Sequence, residues 1–419
     1  MTQKLWKSEY PVSDLLAILL FSSFFVLFDH AYSSVAILFL TFLTVVYMIV
    51  KNSGRLTIRI TYFHVWMIAL ASFCLFSSIW AWDTENAITK GKTIFSMFLC
   101  YSMAYLCYQE YDSVDSLLKA VLWGGNIVVC MIVLTFGVHG VISLLVYDDR
   151  LSEQYFLNSN VVGMLCAMSV QVNIYYILKT KKIHWWNLFI IFNIVMIAAT
   201  GSRQALVVLA GGIVLLLLMF VMRGRTPGET VILFLVSAVL LAAVIAVFAR
   251  IPAFSGIYKR ILSLISALTG VGKTDRSATT RLALIHAGIR QFKQNPILGV
   301  GMGSGHLIAW KYVNRTYYLH NNFVEVLSGG GITGFLLYYS IYFYILCNMI
   351  RYHRYSTLET SLCATILMML LVDDYATVSY YEKTTYFYLM IGMLEVEKLR
   401  KAYRNAIPVT PTVQCLKGR

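Results

Sequence analysis

Apolar runs of about twenty residues recur from one end of this 419-residue chain to the other. An α-helix needs about 20 such residues to cross the roughly 30 Å of hydrocarbon in a bilayer, and it satisfies its own backbone hydrogen bonds. Hydrophobic residues make up 59% of the sequence and charged residues only 13%, which is too little polar surface for a soluble globule. The sequence therefore predicts an all-α, polytopic membrane protein with about 12 transmembrane helices.

One long polar segment divides the predicted helices into two groups. Helices 1 to 9 are predicted within residues 1–249, helices 10 to 12 within residues 323–397, and a basic cytoplasmic tail within residues 398–419. The segment between the groups, residues 250–322, is too long for an ordinary connection, so we expect it to be functional and to contain an amphipathic helix. The short segments on one side of the membrane hold most of the lysine and arginine residues. By the positive-inside rule, both termini are cytoplasmic and the long loop lies outside.

The long outer loop is strongly basic. Its ten cationic residues against one acid, Asp275, give 10 − 1 = +9. At a membrane surface, such a positive field attracts lipid head groups, lipid-linked phosphates or acidic polymers. A solvated basic loop that touches phospholipid is the alternative. The cationic residues are Arg250, Lys259, Arg260, Lys273, Arg276, Arg281, Arg290, Lys293, Lys311 and Arg315.

The part of this loop that begins at Arg281, RLALIHAGIRQFKQ, predicts a helix that ends at Asn295-Pro296. Arg281 falls at the edge of the apolar face, where a helix lying on a membrane gains little from a charge. We therefore expect Arg281 to contact a specific ligand, unless its side chain extends to phosphate head groups. At 100° per residue, the predicted apolar face contains Leu282, Ile285, Ile289 and Phe292.

Glycines occupy every second position in GVGMGSG, from Gly299 to Gly305. Such a run allows the backbone to approach a ligand closely and to present its N–H groups. No strand precedes it and no βαβ pattern surrounds it, which excludes a dinucleotide-binding fold. A second run, Gly329 to Gly331 with Gly334, is predicted to break a helix or to allow a tight helix contact.

The sequence His320-Asn321-Asn322 lies where the long loop re-enters the membrane. A histidine side chain can be neutral at physiological pH, and its pKa is suited to accepting a hydroxyl proton. His320 is therefore a candidate general base. A polar side chain in the membrane interface is the alternative. Asn322 with Glu325 three residues later fits a capping box, which would give both residues a structural role.

Charged residues at other membrane boundaries are further candidates, because such charges are usually functional. Arg203 lies between predicted helices 7 and 8, and its planar guanidinium suits phosphate oxygens. Asp373 and Asp374 could orient such a cation or cap helix 11. Asp83 and Glu85, in the loop expected between helices 3 and 4, form only a weak acidic metal motif. No pair of the eight cysteines has metal or redox spacing, and we expect neither a metal nor a cofactor.

Four segments together resemble the O-antigen ligase and polymerase superfamily of membrane glycosyltransferases. Their order and spacing agree with that family from about Leu157 to Leu371. The segments are LNSNVVG at 157–163, TGSRQALV at 200–207, RLALIHAGIRQFKQNPILGVGMGSG at 281–305 and YLHNNFVEVLSGGGITGF at 318–335.

The resemblance implies a metal-independent glycosyltransferase in the bacterial inner (plasma) membrane, with its active site facing outward. Its donor would be a glycan linked to undecaprenyl diphosphate, and the diphosphate would bind Arg203 and Arg281. His320 would take the proton of an acceptor hydroxyl that attacks the anomeric carbon. The residues expected to support this site are Asn160, Arg276, Asn321, Asp373 and Asp374.

Three functions are open at the level of the sequence. A polymerase would join repeat units of O-antigen, capsule or exopolysaccharide, and the similarity of LNSN and TGSR to that branch favours it. A ligase would instead transfer the finished chain to lipid A core. An exporter or flippase for lipid-linked oligosaccharides is the alternative of another class, although transporters gather their polar groups at the membrane midplane. The expected partners are the lipid-linked donor, a glycan or lipid A core acceptor, membrane lipids and a candidate chain-length regulator, but no nucleic acid.

Overall fold

The computed structural model describes residues 11–27, 30–55, 58–110, 114–146, 158–221, 276–353 and 357–406. These residues form α-helices joined by turns, and they contain no β-strand. The helices are α1 Pro11–Val26, α2 His30–Lys51, α3 Tyr62–Phe76, α4 Thr84–Glu110, α5 Val114–Val146, α6 Ser159–Thr180, α7 Phe189–Thr200, α8 Arg203–Val221, α9 Arg276–Gln294, α10 Gly305–Val313, α11 Asn322–Tyr352, α12 Thr357–Ala376 and α13 Lys383–Ala406.

Among the described residues, five helices are long and apolar enough to cross a membrane, and three shorter apolar segments accompany them. The predicted all-α, polytopic membrane protein, with an amphipathic helix in its long loop, is therefore confirmed. Predicted helix 9 and residues 250–275 of the loop lie outside the described residues. The number of twelve helices, the domain bounds and the orientation thus stay predictions. The five long spans are Ser34–Lys51, Tyr62–Ile79, Val114–Ser143, Ser159–Thr180 and Asn322–Tyr352.

The segment around Asp83 and Glu85, expected to be a loop, is largely helical, because α4 begins at Thr84. The Oδ1 atom of Asp83 accepts a hydrogen bond from the backbone N–H of Asn86 (2.9 Å). This bond satisfies one of the free N–H groups at the start of the helix, where a carboxylate also interacts favourably with the helix dipole. At the far end of the chain, α13 continues to Ala406, through part of the predicted basic tail.

Several helix ends meet at one end of the bundle. They are the start of α6, the turn between α7 and α8, and the end of α12, where the carbonyl of Tyr375 accepts a hydrogen bond from Asn321. We call this end the His320 end, after the residue next to Asn321. Gly163 of α6 packs against the turn between α7 and α8. The α8 helix runs antiparallel to α12, and Gly211 contacts Met368. Arg203 lies eight residues before Gly211 on α8, and Ala376, the end of α12, lies eight residues after Met368. Each distance is about 12 Å by helical rise. The turn between α7 and α8 and the end of α12 therefore lie at similar heights.

The loop segment before α10 pairs with a break in α11. Gly331 has φ 64°, which interrupts the helix. The backbone N–H of Gly301 donates to the carbonyl of Gly329 (2.8 Å), and that of Ile332 donates to the carbonyl of Pro296 (2.8 Å). The predicted break within Gly329 to Gly331 is thus confirmed, and its freed backbone groups find partners in the loop.

The glycines of residues 299–305 approach other parts of the protein closely. A Cβ on Gly299 would overlap the carbonyl of Gly329, and a Cβ on Gly301 would overlap Ala81 in the turn between α3 and α4. Gly301 has φ 91°, a backbone conformation that favours glycine. The run therefore fastens the loop between α11 and the start of α4.

Candidate active site

The α9 helix covers the start of α11 with a buried face that contains small residues. Leu284, Ala287 and Gly288 are buried, and a Cβ on Gly288 would overlap Val324. The face of α9 that is buried therefore differs from the predicted apolar face by a rotation about the helix axis. Leu282, which the prediction placed on the apolar face, is 45% exposed. Close helix contact selects small side chains, which hydropathy ranks below the large ones. The other members of the predicted face, Ile285, Ile289 and Phe292, are half-buried.

This rotation places Arg281 on the side of α9 that faces the start of α11. Arg281 precedes Gly288 by seven residues, or two helical turns, and so shares its face. Its side chain is half-buried, and its positive charge acts on the imidazole of His320. The charge of Arg281 therefore acts on the candidate base, and its contact with a ligand stays a prediction.

His320 lies outside the membrane-spanning segments, two residues before α11. Its backbone is left-handed, with φ 53°, and its ring packs against that of Tyr318, with the ring centroids 4.0 Å apart. Burial and, second, the charge of Arg281 lower the pKa of His320 from 6.5 to about 4. The imidazole is consequently unprotonated at neutral pH.

Three hydrogen bonds hold the backbone on both sides of His320. The N–H of Leu319 donates to Oε2 of Glu325 (3.0 Å). The side chain of Asn321 caps α11 by accepting from the N–H of Val324 (3.0 Å), and its Nδ2 donates to the carbonyl of Tyr375 (3.1 Å). The cap is thus Asn321, and the capping box predicted for Asn322 with Glu325 was wrong because α11 begins one residue earlier than that pattern requires.

Asn322 holds the turn between α12 and α13 against the start of α11, and two aspartates of α12 accept hydrogen bonds from the same turn. Oδ1 of Asn322 accepts from the N–H groups of Ser379 (3.1 Å) and Tyr380 (3.0 Å). Asp374 is buried and accepts a hydrogen bond from the hydroxyl of Ser379. Asp373 accepts from the hydroxyl of Thr377 (3.0 Å), one turn later in the chain. Both carboxylates therefore contact the residues that end α12.

The remaining predicted residues reach the His320 end on other elements. Arg203 is the first residue of α8, and Asn160 is the second residue of α6; both are half-buried. Asn158 caps α6 by accepting from the N–H of Asn160 (2.9 Å). Arg276 is the first residue of α9. The charge of Arg281 thus acts on His320, which is followed directly by Asn321, and the structure brings Arg203 and Asn160 to the same end on α8 and α6.

Sequence reasoning missed several polar groups near His320. Nε2 of His306 lies 3.1 Å from Oδ2 of Asp83, and the ammonium of Lys90 lies 3.4 Å from the centre of the Tyr381 ring. The acidic motif at Asp83 was the one signal, and it pointed to a metal. In the described part of the chain, no group of three histidine, cysteine or acidic residues could hold a metal ion.

Fold and site together define a polytopic, all-α membrane protein with an arginine beside a neutral histidine at one end of its helices. Residues 188–339 match the family model described as O-antigen ligase. This match supports the O-antigen ligase and polymerase superfamily that the four segments predicted and, together with the apolar helices, a membrane enzyme of polysaccharide biosynthesis. The match includes Arg203, Arg281 and His320. No curated protein matches the chain.

Proposed function

We propose that the chain is a glycosyltransferase that polymerises lipid-linked oligosaccharide repeat units at the outer face of the inner (plasma) membrane. The observation that carries the proposal is a neutral imidazole, His320, on which the positive charge of Arg281 in α9 acts. Transfer from a diphosphate leaving group needs a proton acceptor beside an anion-binding cation. Both residues lie within the segment that matches the O-antigen ligase family.

In the proposed reaction, the donor is a glycan on undecaprenyl diphosphate and the acceptor is a sugar hydroxyl of the next lipid-linked unit. The hydroxyl oxygen bonds to the anomeric carbon while the bond from that carbon to the diphosphate oxygen breaks. The hydroxyl proton passes to an unprotonated nitrogen of His320, and the electron pair of the broken bond leaves with undecaprenyl diphosphate. Arg281 and Arg203 stabilise the negative charge that develops there. The scheme requires neither a metal nor a nucleotide.

The lowered pKa of His320 suits a base that acts only when the donor is bound. A base with a pKa of about 4 is ready to accept a proton at neutral pH, but it is weak. The charge of Arg281 is one of the two causes of that low pKa, and a bound diphosphate would offset this charge. Donor binding is therefore expected to raise the pKa of His320 and to strengthen the base.

The choice between polymerase and ligase depends on the acceptor. The segments LNSN and TGSR resemble the polymerase branch, which favours transfer to another lipid-linked unit. The matched family carries the description O-antigen ligase, so transfer to lipid A core is the second candidate.

The test uses wild-type protein in detergent with a lipid-linked repeat unit and no added metal or nucleotide. The readouts are glycan length and released undecaprenyl diphosphate. We expect a ladder of longer glycans that is lost in His320→Ala and reduced in Arg281→Ala and Arg203→Ala. His286→Ala is the matched control, because His286 is an exposed histidine on α9.

Each result assigns the protein to one function. Activity that appears only after lipid A core is supplied would make the protein a ligase. Full activity of His320→Ala would refute the assignment of the base. If wild type is inert with both acceptors while liposomes show movement of the lipid-linked substrate, the protein is an exporter.

A further inference from the structure

A second polar region adjoins His320 through the carboxyl group of Glu325. Oε2 of Glu325 accepts from the N–H of Leu319, the residue before His320. The same carboxyl group meets Gly305 at the start of α10, where a Cβ would overlap both of its oxygens. His306 follows Gly305 directly. The two segments that carry His306 and His320 therefore meet at one buried side chain.

Lys90 of α4 lies in this region with its hydrogen-bonding capacity unused. Its ammonium sits over the ring of Tyr381 at 3.4 Å from the centroid, and its charge interacts with Glu325 and Glu382. Within the described residues, no hydrogen-bond acceptor or carboxylate pairs directly with this ammonium. A half-buried lysine has three N–H donors, so a ligand with acceptor oxygens could take them up.

The side chain of His306 contacts Asp83, which lies just before α4, the helix that carries Lys90. The ring and the carboxylate are 3.1 Å apart and partly exposed, at 32% and 26% of their side chains. Asp83 cannot turn away easily, because its other oxygen caps α4 through Asn86. When Nε2–H of His306 donates to Asp83, the second ring nitrogen is an acceptor, and it meets no partner among the residues the structure describes.

Aromatic rings connect this region to the candidate base. The ring of Tyr318 packs against that of His320 at a tilt of 43°, with the centroids 4.0 Å apart, and Tyr318 also interacts electrostatically with Tyr381. Its side chain is 40% exposed. Sugars present C–H groups on their ring faces and hydroxyls around their edges. The exposed ring of Tyr318 and the half-buried ring of Tyr381, next to unfilled donors and acceptors, match both features.

We propose that Lys90, the Asp83–His306 pair and the rings of Tyr318 and Tyr381 form the subsite that binds the sugar ring of the acceptor. This inference rests on the proposed glycosyl transfer, and it names where the acceptor lies. The subsite is built from the start of α4, α10, the segment just before α11 and the turn between α12 and α13, whereas Arg281 belongs to α9. Donor diphosphate and acceptor sugar thus contact different elements around His320.

The first test measures binding without catalysis. The probe is a set of oligosaccharides of one to three repeats, released by mild acid from the surface polysaccharide of the source strain. Calorimetric titration into detergent-solubilised wild type, with no donor present, should give a measurable Kd. Lys90→Met removes the ammonium at similar length and should weaken binding about tenfold or more, as loss of a charged hydrogen bond does. Lys92→Met, two residues along the same helix at an exposed position, should leave the Kd within about twofold.

Asp83→Asn provides a second variant that keeps the cap of α4 but weakens the hold on His306. It should weaken oligosaccharide binding without lowering the thermal unfolding midpoint, whereas a purely structural role would lower the midpoint and leave the Kd unchanged. In the transfer assay, Lys90→Met should raise KM for the acceptor and leave KM for the donor unchanged. Undetectable binding to wild type, or equal binding by Lys90→Met, would overturn the subsite. Those binding results do not affect the transfer assay with His320→Ala. The binding assay therefore tests the subsite, and the transfer assay tests the proposed reaction separately.

Discussion

Replacing Arg281 with glutamine should raise the pKa of His320, because the substitution removes a positive charge and keeps a polar side chain. The pKa lies 6.5 − 4 = 2.5 below its ordinary value. Burial is the larger cause and the charge of Arg281 the smaller, so Arg281 accounts for less than half of the difference. The pKa in Arg281→Gln should therefore rise by at most about 1.2, which is a change of less than about 1.7 kcal/mol in the free energy of protonation.

The pKa can be measured by NMR titration of protein labelled with carbon-13 at histidine, with His320→Gln to assign the signal. Arg290→Gln is the matched control. Arg290 is exposed on the same helix and stacks on Tyr312, 5.1 Å from the ring centroid, so its loss should leave the pKa of His320 unchanged. Three results would refute the reasoning: a wild-type pKa near 6.5, an unchanged pKa in Arg281→Gln, or an equal rise in both variants.

Three further predictions concern stability and the caps around the site. Gly301→Ala should lower the thermal unfolding midpoint more than Gly54→Ala, because both glycines have positive φ but only Gly301 has protein atoms where the Cβ would stand; equal losses would mean that the close approach is unimportant. Asn321→Ala should cost about 1 kcal/mol of unfolding free energy and Asn321→Asp less, since aspartate still caps α11, and similar losses measured by chemical denaturation would exclude the cap. The folded protein disfavours protonated His320, so this residue stabilises the fold above pH 6.5, and that contribution is lost as the pH drops towards about 4. His320→Gln should therefore make the unfolding midpoint depend less on pH between about 6.5 and 4, and an unchanged slope would contradict this expectation.

The sequence predicted the α9 helix and its end at Gln294 because its period and its stop residues are local signals, whereas the helix already includes Arg276, five residues before the predicted start. The buried face of α9 could not be predicted, because it is set by the partner helix. Gly288 allows α9 to approach Val324 closely, and this contact turns the large residue Leu282 outward. A hydropathy pattern records which side chains are apolar, and it does not record where a neighbouring backbone comes nearest.

The candidate site was predictable where one residue type carries the chemistry. His320 and Arg281 stand out as polar residues at a membrane boundary, and the structure brings them together. The partners of Lys90 and Asp83 were not predictable, since Tyr381 and His306 are more than two hundred residues away in the chain. Such pairs depend on how the helix ends assemble, and no local pattern encodes that assembly.

The break in α11 limits how the protein can admit a substrate. At Gly331 the helix gives up its own hydrogen bonds, and loop residues between Pro296 and Gly301 replace them. If that loop swung away, backbone N–H and carbonyl groups of a membrane-spanning segment would be left in hydrocarbon, at a cost of several kcal/mol for each. The loop between Pro296 and Gly301 is therefore expected to stay in place beside α11. We therefore expect a lipid-linked substrate to enter from another side, and insertions between residues 296 and 303 should be tolerated far less well than insertions near the exposed residue Arg315.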